Sequence, residues 1–128
     1  MKILVTGCAG FIGYHLIVKL NNLGYKVYGV DNLNSYYDVN LKKDRIKELK
    51  KNKLFYFEKL DILNEKKLEK IFKKKIDIVI NLAAQAGVQY SFKKPSTYIH
   101  SNIIGFYNIL KLFKKYNIKK IIFASSSS

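Results

Sequence analysis

The sequence predicts an α/β fold of the Rossmann type, a parallel sheet with helices on both faces in the order βαβαβαβαβ. Five short apolar runs alternate with four segments of helical period, the pattern of parallel strands joined by crossover helices. The first run passes directly into a glycine triplet, Gly7, Gly10 and Gly13, where the first helical segment begins. The second run ends on an acidic residue, Asp31, about twenty residues beyond the glycines, a spacing characteristic of this fold.

Strands are predicted at residues 2–6, 26–30, 54–57, 76–82 and 119–124. They are rich in Ile, Val and Phe, and the first and fourth are almost continuously apolar, as strands covered on both faces should be. In the first helix Ile12, Leu16, Leu20 and Leu23 recur at spacings of three and four. This predicts an inward stripe that Gly24 brings to an end. Leu41, Ile46 and Leu49 predict a weaker second helix. Asn64 is suited to cap a third, with Glu65 in its first turn and Leu68, Ile71 and Phe72 facing inward. Pro95 fits the first turn of a long fourth helix, with Ile99, Ile103, Phe106, Leu110 and Phe113 as its apolar stripe. Short connections between these elements favour right-handed crossovers.

A chain of 128 residues makes a single domain with a modest core. Although 48% of the residues are hydrophobic, no apolar run is long enough to span a bilayer. The N-terminus does not have the apolar stretch and small-residue cleavage site of a secretory signal. Cys8, the single cysteine, has no partner for a disulfide or a zinc site. No metal is expected, and a reducing, cytoplasmic setting is. The formal charge of +15 raises the question of nucleic-acid binding. The lysines, however, fall in runs such as Lys50-Lys51-Asn52-Lys53 and Lys73-Lys74-Lys75, on or beside predicted helix faces where charge is ordinarily solvated. No helix-turn-helix, zinc-finger or RNA-binding signature accompanies them, so neither nucleic acid nor a membrane is the expected partner.

The chemistry concentrates in Thr6-Gly7-Cys8-Ala9-Gly10-Phe11-Ile12-Gly13, between the first strand and the first helix. Gly7 permits a tight turn, Gly10 lets the backbone approach a pyrophosphate, and Gly13 lets the helix pack closely on the sheet. Phosphates then sit at the helix N-terminus, where free N–H groups and the helix dipole favour an anion. A purely structural glycine turn is the alternative. Asp31, closing the second strand, is suited to accept hydrogen bonds from the adenosine ribose hydroxyls. It would also repel a 2′-phosphate, and no arginine follows to receive one, so NAD is favoured over NADP. A turn capped by Asp31 with Asn32 is the plainer reading of the same pair.

The Gly-x-x-Gly-x-x-Gly spacing resembles the short-chain dehydrogenase/reductase superfamily in its extended branch. The resemblance continues through Asp31-Asn32-Leu33-Asn34-Ser35-Tyr36-Tyr37-Asp38-Val39, Asn81-Leu82-Ala83-Ala84-Gln85-Ala86-Gly87-Val88 and Phe123-Ala124-Ser125-Ser126-Ser127-Ser128. These stretches are similar to those of NAD-dependent nucleotide-sugar epimerases and dehydratases, most of all the UDP-glucuronate 4-epimerase group associated with capsular polysaccharide biosynthesis. The resemblance implies that Gly7, Gly10, Phe11, Ile12 and Gly13 form the pyrophosphate turn and that Asp31 and Asn32 hold the adenosine ribose. By the same resemblance Asp61 and Ile62 flank the adenine, and Leu82, Ala83 and Ala84 lie beside the nicotinamide half of NAD. Asn102 would steady the active-site backbone, although a core asparagine satisfied by nearby carbonyls is an equal reading.

Ser126 matches the Ser/Thr that hydrogen-bonds the sugar 4-hydroxyl, and Ser125 would lie near the nicotinamide. Gln85, Val88, Gln89, Ser127 and Ser128 are implied on the substrate side. Many glucuronate epimerases carry an arginine where this chain has Gln89. Glutamine can bond a carboxylate but offers no charged fork, so uronate and neutral nucleotide sugars both stand as substrates.

In the family, a tyrosine takes the sugar hydroxyl proton and a lysine four residues later lowers its pKa. Tyr-x-x-x-Lys occurs at Tyr90/Lys94, Tyr107/Lys111 and Tyr116/Lys120, but about two such matches arise by chance in so lysine-rich a chain. All three precede the serine strand, and the pair is expected beyond Ser128. The resemblance therefore implies an incomplete domain, residues 1–128, that represents the NAD-binding portion of a homodimeric UDP-sugar epimerase and is inactive alone. A non-catalytic NAD-binding module is the alternative. An isolated portion is also expected to self-associate through its last strand and its long helix.

Overall fold

A computed structural model of the chain describes residues 1–126; Ser127 and Ser128 lie outside the described residues. Five strands, β1 (Lys2–Thr6), β2 (Lys26–Asp31), β3 (Phe55–Lys59), β4 (Ile78–Asn81) and β5 (Lys120–Phe123), form one sheet. Their order is β3-β2-β1-β4-β5, and every pairing is parallel. The order reverses between β1 and β4, and open α/β sheets bind ligands at the carboxyl ends flanking such a switch. Thr6, the last residue of β1, stands opposite Val30 on one side and Asn81 on the other. The three central strands therefore finish at the same level.

Alternation along β1 splits the core in two. Ile3 and Val5 point to one face, with Ile17 of α1 (Phe11–Asn22) and Ile46 and Leu49 of α2 (Val39–Leu49). Leu4 points to the other, with Leu68, Ile71 and Phe72 of α3 (Glu65–Phe72) and Ile109 and Leu112 of α6 (Phe106–Lys115). Helices on both faces match the predicted class. The third helix follows its expectation in detail, since Asn64 Oδ1 accepts the Lys67 N–H at 3.1 Å and Leu68, Ile71 and Phe72 are all buried. Strand ends differ from the predicted ones by one or two residues, as terminal residues commonly do.

Three helices are rotated from their predicted faces. In α1 the buried line is Gly13, Ile17 and Asn21; Ile12 and Leu23 are exposed, and Leu16 and Leu20 only partly buried. The glycine sets this rotation. A Cβ at Gly13 would stand 2.3 Å from the Gly7 carbonyl oxygen, so the helix presents its smallest residue to the turn, and positions four and eight further on follow it inward. In α2 Leu41 points outward and Lys42 is buried beside Ile46 and Leu49.

The fourth helical region is not one regular helix. A short α4 (Val88–Lys93), which the sequence reading missed, precedes α5 (Pro95–Tyr98), a π-helical segment (Ile99–Gly105) and α6. The wider π turn shifts the phase of everything after it. Gly105, Asn108, Ile109 and Leu112 face the sheet, while the predicted stripe residues Ile99, Ile103 and Leu110 are exposed. Phe106 and Phe113 still pack partly against the core. Among the described residues no helix is long and apolar enough to cross a membrane.

The corrected phase predicts unequal costs on α6. Leu112→Ala should destabilise the fold by about 2–5 kcal/mol and Leu110→Ala by less than about 1 kcal/mol, measured by urea unfolding. Equal costs would contradict the observed phase.

Candidate functional site

The site begins at the turn after β1. Gly7 has φ +70°, and a Cβ there would lie 2.8 Å from the Leu82 carbonyl carbon. Only glycine fits both the left-handed backbone and this close approach. Gly7 and Cys8 donate their N–H groups to the Val30 carbonyl at 2.9 and 3.3 Å, and Gly10 donates to Gly7 at 3.1 Å. Helix α1 starts directly afterwards, with Gly10 as its N-cap and the Tyr14 N–H to Gly10 carbonyl bond as its first full turn. The amides of Phe11, Ile12 and Gly13 precede that bond, and no acidic residue stands in the first turn. This end of α1 is therefore a positive, donor-rich terminus.

Thr6 locks the turn to β4. Its Oγ1 donates to Asn81 Oδ1 at 2.5 Å and accepts the Leu82 and Ala83 N–H groups at 3.1 and 3.0 Å. The side chain is fully buried, and its one hydroxyl meets three polar groups at the strand ends; the Leu82 N–H also reaches the Thr6 carbonyl at 3.2 Å. Sequence reasoning passed over Thr6. The available signal was a polar residue ending an otherwise apolar strand.

A cleft opens along the carboxyl ends of β1, β2 and β4, bordered by Gly7, Gly10, Asp31, Asn32, Asp61, Ile62, Leu82, Ala83, Ala84 and Gln85. These ten are all residues that the sequence nominated. Asp31 Oδ2 accepts the Ala9 N–H at 3.0 Å, and Oδ1 accepts the Leu33 N–H at 2.8 Å. The turn-capping reading of Asp31 thus holds, and the same bond to Ala9 aims the carboxylate at the glycine turn. Asn32 Nδ2 donates to Asp61 Oδ2 at 3.3 Å, joining the loops after β2 and β3. Asn102, in the π-helical segment, grips Gln85 twice: Oδ1 accepts the Gln85 N–H at 2.8 Å, and Nδ2 donates to its carbonyl at 3.1 Å. Asn102 is exposed rather than part of the core.

Other nominated residues lie apart from the cleft border. Phe11 and Ile12 project their side chains outward, leaving their backbone amides as the groups at the helix start. Val88 and Gln89 are exposed on α4. Ser125 and Ser126 are exposed just after β5, where the Ala124 N–H meets the Asn81 carbonyl at 3.3 Å. Among the three Tyr-x-x-x-Lys spacings, Tyr116 donates to Glu69 at 2.7 Å, Lys111 pairs with Glu65 at 2.7 Å, and Tyr90 packs against Tyr36 at 4.8 Å. None of these three tyrosines borders the cleft.

Two cations that sequence reasoning did not single out stand at the Asp31 end. Lys42 Nζ donates to the Asn34 carbonyl and Oδ1 at 2.9 and 2.8 Å, and Arg45 Nη1 donates to the Ala9 carbonyl at 3.1 Å. Helix α2 thus brings Arg45 onto the Ala9 carbonyl of the glycine turn. Burial lowers the Lys42 pKa, and the Asp31 carboxylate opposes that shift. Burial also pushes the Cys8 thiol well up, with the Asp31 carboxylate adding to it. Across the cleft mouth Tyr98 Oη donates to the Ala86 carbonyl at 2.9 Å and also to that of Gly87, fixing the loop before α4. Among the described residues no group of three His, Cys, Asp or Glu side chains is placed to hold a metal.

Taken together, the donor-rich helix start, the close glycine turn and the accepting carboxylate at the end of β2 form the set of polar groups of a dinucleotide-binding Rossmann domain. Residues 3–128 match the model of the NAD dependent epimerase/dehydratase family, and the chain belongs to that family. It is 53% identical over 129 residues to Protein CapI of Staphylococcus aureus, covering 100% of this chain and 38% of that protein. The UDP-glucuronic acid 4-epimerase of Bacillus cereus, solved with UDP-glucuronic acid and NAD, superposes with a TM-score of 0.89. It is 41% identical, and the match covers 100% of this chain and 41% of that one. The UDP-glucose 4-epimerase of Thermotoga maritima, solved with UDP-glucose, gives a TM-score of 0.82 at 42% identity, over 98% of this chain and 38% of that one. The chain thus spans about two-fifths of the length of these proteins.

Two outcomes follow from this geometry. Thr6→Val removes the hydroxyl partner of the buried Asn81 Oδ1 and of the Ala83 N–H and should cost about 1–3 kcal/mol in urea unfolding, whereas Thr6→Ser should retain most of the stability. The native protein should resist thiol reagents at neutral pH, with Cys8 reacting only on denaturation, as followed by the colour released from Ellman's reagent.

Proposed function

We propose that this chain binds NAD along the carboxyl ends of β1, β2 and β4 as the NAD-binding part of a UDP-sugar 4-epimerase. One observation carries the reading: Gly7 and Gly10 of the glycine turn and the Asp31 carboxylate border a single cleft, and α1 starts directly at that turn. When bound, NAD supplies a reversible two-electron acceptor for the sugar C4. The amides of Phe11, Ile12 and Gly13 bind the pyrophosphate, with Gly7 and Gly10 permitting its close approach and the dipole of α1 behind them. Asp31 and Asn32 hold the adenosine ribose, and Asp61 and Ile62 flank the adenine.

On the other side of the switch, Leu82, Ala83 and Ala84 form the wall toward the nicotinamide, held in place by Thr6. Asn102 fixes the backbone of Gln85, so the loop leading into α4, where Val88 and Gln89 stand, keeps its course toward the sugar. Ser126 orients the sugar 4-hydroxyl, with Ser125 beside it. Proton transfer falls to a Tyr-x-x-x-Lys pair outside these 128 residues. The whole protein is a homodimer of the cytoplasm, and the exposed apolar residues Ile99, Ile103, Tyr107 and Leu110 suit an interface. UDP-sugars are the substrate class.

Calorimetric titration of the intact protein with NAD tests the binding. Gly10→Asp should weaken it at least about a hundredfold, because a carboxylate would occupy the phosphate position. Incubation with UDP-glucuronate or UDP-glucose, read by chromatography, should give the C4 epimer. Gln89→Arg should shift preference toward the uronate by about tenfold if Gln89 faces the sugar carboxylate. NAD binding without turnover of either sugar would leave a non-catalytic NAD-binding module.

A further inference from the structure

The loop between β2 and α2 reaches further than its two ends require. In the sheet β2 lies beside one edge of β1 and β4 beside the other, so the segments that follow them start on opposite sides of the glycine turn. Tyr36, on the loop after β2, nevertheless packs against Tyr90 of α4, with ring centres 4.8 Å apart. Its hydroxyl also lies over Gly87, where a Cβ would collide with it. To make these contacts the loop passes over the end of β1, above the turn that the pyrophosphate approaches.

Both sides of this crossing are anchored. At its root the buried Lys42 holds the Asn34 carbonyl and Oδ1, and Arg45 Nη1 donates to the Tyr37 hydroxyl at 3.2 Å. Tyr37 Oη in turn lies 3.9 Å from where a Cβ of Gly10 would stand. On the far side Tyr98 Oη donates to the Ala86 and Gly87 carbonyls, and its ring centre is 6.4 Å from that of Tyr90. Gly87 has φ +96°, and its missing side chain leaves room for the Tyr36 hydroxyl. The link between the two anchors is a contact of rings, and Tyr36 is 43% exposed. An aromatic pair of this kind holds two segments together by a factor of about two to ten. It is strong enough to keep the loop in place and weak enough to open.

Resting on the NAD reading above, we propose that Tyr36 and Tyr90 are the two sides of a latch that closes the loop after β2 over the middle of the bound dinucleotide, with Gly87 and Tyr98 as its seat. Tyr36 and Tyr37 border the cleft and Tyr90 does not, so Tyr90 acts on the cofactor through Tyr36. The latch gates passage in both directions, since NAD neither enters nor leaves until the rings part. A residue that merely touches NAD slows its departure, whereas a gate slows arrival and departure alike.

Stopped-flow fluorescence of NADH, the reduced dinucleotide, measures both rates on the intact protein. Tyr90→Ala should raise the association and dissociation rate constants together by about fivefold, leaving Kd within about twofold. Tyr36→Leu removes the ring from the other side; it should also raise both rates, and it supplies the readout if Tyr90→Ala fails to fold. Tyr36→Phe keeps the ring and should change neither rate by more than about twofold. Unchanged rates in Tyr90→Ala and Tyr36→Leu, or a rise in dissociation alone, would overturn the latch while leaving NAD binding intact. Failure of the unsubstituted protein to bind either NADH or NAD would overturn the NAD reading and the latch with it.

Discussion

Where β1 ends, the chain turns through Gly7 so close to the start of the loop after β4 that a single methyl group would collide with the Leu82 backbone. On the other side of the same peptide, Gly13 comes within reach of the Gly7 carbonyl. This double approach constrains most of what lies around it. It fixes the rotation of α1, which in turn decides that Ile17 and Asn21 are covered and Ile12 is not. It also brings the start of α1 and the end of β4 to opposite sides of one narrow opening. A helix terminus with unpaired amides is an anion site only if something can come near it, and the small turn keeps that approach open.

Around the turn, the cleft walls are held by short polar contacts in place of bulk packing. Thr6 ties β1 to the loop after β4, Asp31 ties β2 to the glycine turn, Asn32 reaches Asp61, and Asn102 clasps Gln85. Every one of these joins two segments at the carboxyl end of the sheet. A site assembled from loops gains its precision this way, because buried or half-buried polar groups lose free energy when a partner moves. The π-helical segment belongs to the same scheme. It carries Asn102 to Gln85 at the cost of regular helical phase, and such irregular turns often mark functional positions.

The class of fold, its five strands and ten of the cleft-bordering residues were legible in the sequence because they depend on local signals. Apolar runs, a cap at Asn64 and glycine spacing are all read within a few residues of one another. The helix faces were less legible. The predicted stripe of α1 counted large apolar side chains, whereas a glycine at Gly13 took the inward position. In the fourth helical region an unforeseen π turn displaced Ile103 and Leu110 outward and turned Ile109 and Leu112 to the core. Lys42, Arg45 and Thr6 escaped notice for another reason. Their roles come from contacts with residues distant in sequence or across a loop, and a lysine in a lysine-rich chain carries no signal of its own.

The central claim is that the glycine turn, the end of β2 and the end of β4 form one dinucleotide site. Titrating NAD into isotopically labelled protein while following backbone amide resonances tests it most directly. The account predicts the largest shifts at Gly7 through Gly13, at Asp31 and Asn32, and at Leu82 through Ala84, all saturating with a single dissociation constant. Shifts confined to the lysine-rich outer faces of α2 and α3, or an unchanged spectrum at saturating NAD, would contradict it.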